Sequence, residues 1–200
     1  MLNCKCQSKK NRGIYHLYFT VVLLFSLFLN GCVSERPKEI KKGLITYKTS
    51  NLEGYDNHQV VVDSAFIPCM DKINNYAREN NVVICVTHSF RGKNQKLTGT
   101  IVPMATKSNH LVGHAIDMNV LFNGVLYESK DMYKTKWDTL PLNVKSFLNQ
   151  VRKDPILRWG GDFTPEDPVH IDDELLDRNP VLWQELYDTY QQKTLSSRNS

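Results

Sequence analysis

The stretch SNHLVGHAID, Ser108 to Asp117, sets two histidines, a glycine and a carboxylate within ten residues. Its continuation decides the local structure. In HAIDMNV, Ile116, Met118 and Val120 alternate with Asp117 and Asn119. A β-strand sends alternate side chains to opposite faces, so the apolar set lines a core and Asp117 faces a polar surface or cleft. The same test on VHID sends Val169 and Ile171 inward and His170 with Asp172 the other way. His110 precedes the first of these strands across Gly113, which permits a tight turn.

The flanking sequence reads outward from there. DSAFIPCMDKINNYAREN (63–80) has Phe66, Met70, Ile73 and Ala77 at helical spacing, with Asp63 or Ser64 as cap. NVVICVT (81–87) follows as a buried strand rich in β-branched residues. HAIDMNVLFNGVLY (114–127) reads as two strands joined at Asn123-Gly124, a hairpin signal. PLNVKSFLNQVRKDP (141–155) puts Val144, Phe147, Leu148 and Val151 on one helical face. Short strands are expected around LRWGG and VHID, and Asn179 with Pro180 opens a last helix through 192. Helices on a small, mainly antiparallel sheet make the class α+β.

The ends carry a different message. Residues 1–31 begin with Lys5, Lys9, Lys10 and Arg12 and run into IYHLYFTVVLLFSLFLNG, which lacks Lys, Arg, Asp and Glu. A basic start and an apolar run form the pattern of an export signal. The competing reading is a retained transmembrane helix, since the run approaches the ~20 residues needed to span a bilayer. LNGC, Leu29 to Cys32, resembles the lipobox of bacterial lipoproteins, which implies lipidation of Cys32 and a membrane anchor. The expected organisation is a signal over 1–31, a polar tether over 32–42, a folded domain over 43–192 and a flexible tail over 193–200. On this reading the protein is exported and faces the periplasm or cell envelope.

The chain has 25 Lys+Arg against 21 Asp+Glu, and four of the bases but none of the acids lie in residues 1–31. Beyond the signal the two signs are therefore equal in number. That removes the electrostatic case for nucleic-acid binding. Of five cysteines, Cys69 and Cys85 fall in the folded domain. They read as two buried thiols or as a disulfide, and spacing alone leaves both open. No sequence feature speaks to oligomeric state.

Two histidines and one carboxylate suit Zn2+, leaving a fourth coordination position open for water. SNHLVGHAID also matches the S-x-H-x-x-G-x-A-x-D signature of the zinc D-Ala-D-Ala carboxypeptidases, peptidase family M15. DPVH, Asp167 to His170, resembles that family's second motif. WGGDF, Trp159 to Phe163, looks like the segment before it in endolysin-type L-alanyl-D-glutamate peptidases. The resemblance covers roughly Ser64 to Asp172 and implies a hedgehog/D-Ala-D-Ala-peptidase-like fold.

By that resemblance His110, Asp117 and His170 hold Zn2+, and Asp167 is the catalytic acid/base. Arg91, in HSFRGKNQ (88–95), stands where the family has an arginine that binds a substrate oxygen, although the Gly and Ser around the family's arginine differ here. Ser108 is expected to hold a ligand in place, His114 to pack with the apolar set, and His88 to lie beside the cleft. The implied activity is hydrolysis of peptidoglycan stem peptides, by a D,D-carboxypeptidase or an L-Ala-D-Glu-type endopeptidase. The rival readings are an inactive zinc-containing cell-wall binding module and a structural lipoprotein.

Overall fold

The computed structural model describes residues 43–95 and 106–196. The expected signal, the tether and Cys32 lie outside them. The described residues belong to one compact unit, Ile40–Ser200, and among them no helix is long and apolar enough to cross a membrane.

Strands β1 (Leu44–Tyr47) and β3 (Val60–Asp63) form an antiparallel pair. The main sheet contains β2 (Leu52–Gly54), β4 (Val83–His88), β5 (Ala115–Phe122), β6 (Val125–Tyr127), β7 (Arg158–Trp159) and β8 (His170–Asp172). Its order is β2-β4-β5-β8-β7, with β6 paired to β5. The β2–β4 pairing is parallel and the others are antiparallel. The α+β class expected from sequence is the class observed.

Helix α1 (Ile67–Glu79) starts where expected. Asp63 Oδ1 accepts from Ala65 N at 2.7 Å, capping a 3-10 turn over Ser64–Phe66 that leads into it. Pro68 stands in the first turn, where its missing N–H is no loss. A short helix, α2 (Ser129–Met132), follows the β5–β6 hairpin. That hairpin turns at Asn123 and Gly124, whose φ values of 49° and 77° fit the tight turn their sequence promised. Helix α3 (Leu142–Lys153) buries Val144, Phe147, Leu148 and Val151, the predicted face.

α1 and α3 bury their apolar faces in one cluster with Ile84, Val86, Ile116, Met118, Val120 and Ile171. This is the inward half of each alternating strand, and its burial drives the assembly. The opposite half, Asp117 and His170 included, is left for the site.

Helix α4 (Leu175–Arg178) precedes α5 (Pro180–Ser196). Asn179 caps α5 by accepting from Leu182 N at 3.1 Å. The helix runs to Ser196, four residues into the tail expected to be flexible; residues 197–200 lie outside the described residues. Nothing in KTLS breaks a helix, so the α-helical ladder simply continues. Trp183 on α5 packs with Leu111 and Val112, anchoring the helix on the turn that carries His110.

Candidate metal centre

The site is assembled by strand register. Asp117 on β5 lies directly opposite His170 on β8, and on its other side opposite His88 on β4. Cross-strand partners share a face, so the three side chains form one row. His110 joins from a 3-10 turn, Asn109–Val112. That turn is closed by Gly113 at φ 75°, a left-handed residue at the helix end. A Cβ on Gly113 would lie 2.6 Å from Asp63 N, so the position also demands a glycine for close packing.

His110 Nε2, His170 Nδ1 and Asp117 Oδ1 form a triangle with sides of 3.0, 3.1 and 3.2 Å. The other nitrogen of each ring is committed elsewhere. His110 Nδ1 faces the Ser89 carbonyl at 2.9 Å, and His170 Nε2 faces Asp172 Oδ2 at 3.1 Å. Both partners accept, so each of those nitrogens carries the proton. In the neutral rings the two facing nitrogens then present lone pairs to each other and to a carboxylate oxygen. Such a set repels itself unless positive charge sits among it.

The protonation energetics say the same. Burial alone would lower the His170 pKa, but Asp117 and Asp172 outweigh it and push it up to about 10. Burial would raise Asp117, yet His110 and His170 hold it well below the usual carboxylate range. Ligand atoms about 2.0–2.1 Å from a tetrahedral Zn2+ stand roughly 3.3 Å apart. The observed triangle is close to one face of that tetrahedron, and the two-nitrogen, one-oxygen donor set suits the ion.

Asp172 braces this arrangement and was not singled out from sequence. Besides His170, it accepts from Asn109 Nδ2 at 3.0 Å and from Arg158 Nε and Nη2 at 2.9 and 2.8 Å. Burial would raise its pKa, but His170 and Arg158 lower it, keeping it ionised. The available signal was its place two residues after His170, on the same strand face. For Asn109 and Arg158 no comparable signal existed.

The other expected residues also fall near the triangle. Asp167 is half-buried; its N–H donates to Gly160 O at 2.8 Å, and its carbonyl accepts from His170 N at 3.0 Å. Burial, then Asp117, pushes its pKa up from the usual value. The backbone under this loop is tight: a Cβ on Gly160 would stand 2.2 Å from Asp167 O and 2.9 Å from His170 Cβ. Trp159 Nε1 donates to Pro168 O at 2.7 Å, clamping the far side. The WGG segment is thus the seat of the Asp167–His170 loop.

Arg91 is buried, and its N–H donates to His110 O at 3.1 Å. Burial lowers its pKa, while Asp117 is near enough to oppose that shift. Ser108 caps the His110 turn, its Oγ accepting from His110 N at 3.4 Å. It acts on the ring only through the backbone. His88 lies at the cleft edge with Nδ1 3.5 Å from Asp117 Oδ2.

His114 is buried as expected but does more than pack. Its Nδ1 lies 2.7 Å from Asp173 Oδ2 and its Nε2 3.7 Å from Asp63 Oδ1. Burial would lower its pKa, yet the two carboxylates push it up to about 9. It is a charged link between β3 and the residues after β8, outside the ligand triangle. Cys69 and Cys85 are both buried free thiols.

A family model described as D-alanyl-D-alanine carboxypeptidase matches residues 103–173. No curated protein matches the chain. Among solved structures, the L-Ala D-Glu endopeptidase ChiX of Serratia marcescens is similar at 20% identity and a TM-score of 0.36, covering 56% of this chain and 82% of its own. The matched residues contain the whole His110–Asp117–His170 triangle and Asp167, so the similarity to that family falls on the site itself.

Proposed function

We propose that this protein is a zinc-dependent peptidase that hydrolyses peptide bonds in peptidoglycan stem peptides. The carrying observation is the triangle of His110, Asp117 and His170, whose ring tautomers aim two lone pairs and a carboxylate at one point. A bound Zn2+ supplies a Lewis acid that makes water nucleophilic near neutral pH and polarises a carbonyl.

The chain's own residues do the rest. Asp167, its pKa raised by burial, takes a proton from the attacking water and passes it to the departing amine. Arg91 holds the carbonyl oxygen or a substrate carboxylate through charge-assisted hydrogen bonds. Asp172 and the Ser89 carbonyl fix the two imidazoles in the tautomers that face the metal. Cys32 carries the lipid that keeps the domain at the membrane outside the cytoplasm, where its substrate lies. Loss of acylation in Cys32→Ser, read by mass spectrometry, tests that anchor.

The deciding experiment incubates the purified protein, with Zn2+, with a defined muropeptide and identifies products by mass spectrometry. Loss of terminal D-Ala marks a carboxypeptidase; a cut between L-Ala and D-Glu marks an endopeptidase. Asp167→Ala is expected to bind Zn2+ normally and to lose roughly 10²–10⁴-fold in rate. Absence of any product from wild type, or equal cleavage by Asp167→Ala, overturns the reading.

A further inference from the structure

Helix α5 lies beyond the family-matched residues 103–173, yet two of its consecutive side chains reach segments that surround the site. Tyr190 donates to Asp63 Oδ2. Gln191 is 2% exposed and engages both ends of its amide. Its Nε2 donates to Leu111 O at 2.7 Å and to Arg91 O at 3.2 Å. Its Oε1 accepts from Lys93 N at 2.7 Å.

These partners are not scattered. Leu111 follows His110 in the turn Asn109–Val112, and Arg91 with Lys93 flanks Gly92 in the loop after β4. One amide therefore grips both segments by their backbones. A buried amide is costly unless its hydrogen bonds are made, and here those bonds run to the two segments that carry site residues. The segments are also tied directly, by the Arg91 N to His110 O bond and by His110 Nδ1 at the Ser89 carbonyl. Gln191 cross-braces them.

We propose that Gln191 is a positioning residue: it fixes the Arg91 loop against the His110 turn and so sets where the Arg91 guanidinium stands relative to the metal ligands. This rests on Arg91 serving the peptidase as the holder of a substrate oxygen. A displacement of about 1 Å of such a group costs up to ~100-fold in rate.

The test is a double-mutant cycle in the full chain with Zn2+ bound, using Gln191→Met and Arg91→Ala, each alone and together. Gln191→Met is expected to lower kcat roughly tenfold with little change in KM. The double variant is expected to match Arg91→Ala alone, because the brace acts through Arg91. Independent, multiplying losses overturn the proposal. Gln191→Glu, which keeps the acceptor for Lys93 N and loses both donors, serves as a second variant should the methionine fail to fold.

A readout free of activity separates this from the peptidase reading. Amide hydrogen exchange is expected to accelerate at Arg91 in either Gln191 variant and at Lys93 in Gln191→Met, while the sheet core stays protected. Unchanged exchange overturns the brace. A wild-type protein that cleaves nothing, together with accelerated exchange, sinks the peptidase reading and leaves the brace standing.

Discussion

Asp172 holds His170 by its Nε2 at 3.1 Å while Arg158 grips the same carboxylate in a fork. The ring whose other nitrogen faces His110 and Asp117 is thereby fixed in both tautomer and orientation. Asp172→Asn keeps the shape but removes the charge that anchors Nε2–H. The expected result is a Zn2+ affinity lower by ~10–100-fold, measured by competition with a chromogenic chelator, with an unchanged circular dichroism spectrum. An unaltered affinity would show that the ring is held by packing alone.

Gly160 meets Asp167 and His170 too closely for any side chain. Gly160→Ala is therefore expected to cost about 1–3 kcal/mol and to displace Asp167 and His170 together. Thermal melting reads the first effect and Zn2+ stoichiometry with turnover reads the second. Wild-type values for both would contradict the close approach.

The His114 link gives stability an alkaline limit. Burial opposes its charge, but Asp173 and Asp63 raise its pKa to about 9 from the ordinary 6.5. A raised folded-state pKa contributes stability that is complete below about 6.5 and lost as pH rises through about 9. The shift corresponds to a contribution on the order of 3 kcal/mol. Melting temperatures taken between these limits should fall for wild type and stay flatter for His114→Gln; parallel profiles would remove His114 as the cause.

Burial pushes the Cys69 thiol up to about 12 and raises Cys85 as well. Neither is expected to react with a thiol reagent in the folded protein, because the thiolate is the reactive species. Both should titrate fully in denaturant without a reductant. A missing pair of thiols in denaturant would reveal a disulfide instead.

Local pattern carried much of this protein to the reader of its sequence. Alternation along Ile116–Val120 assigned Asp117 to the polar face, and helical spacing marked the buried faces of α1 and α3. The triangle's members were legible through a motif and through strand period. What alternation cannot carry is register. That Asp117 stands opposite both His170 and His88 depends on how three strands slide against one another. His114 is buried as its strand phase implied, but its carboxylate partners, Asp63 and Asp173, lie far off in the chain, where alternation does not reach. β1, β2 and β3 are too short to show a period, and Gln191 carried no signal on a helix known only by its cap.

The hydrogen bond from Asp63 N to Gly113 O, at 2.9 Å, has a practical side. It ties the start of the domain to the turn behind His110, just as Gln191 ties its end to the front of that turn. The family-matched residues are thus an arch held by two outside buttresses. A fragment trimmed to that segment would keep His110, Asp117 and His170 in its sequence and lose the scaffolding that aims them. Protein engineers seeking a minimal catalytic core should keep the chain from Gly43 through the end of α5.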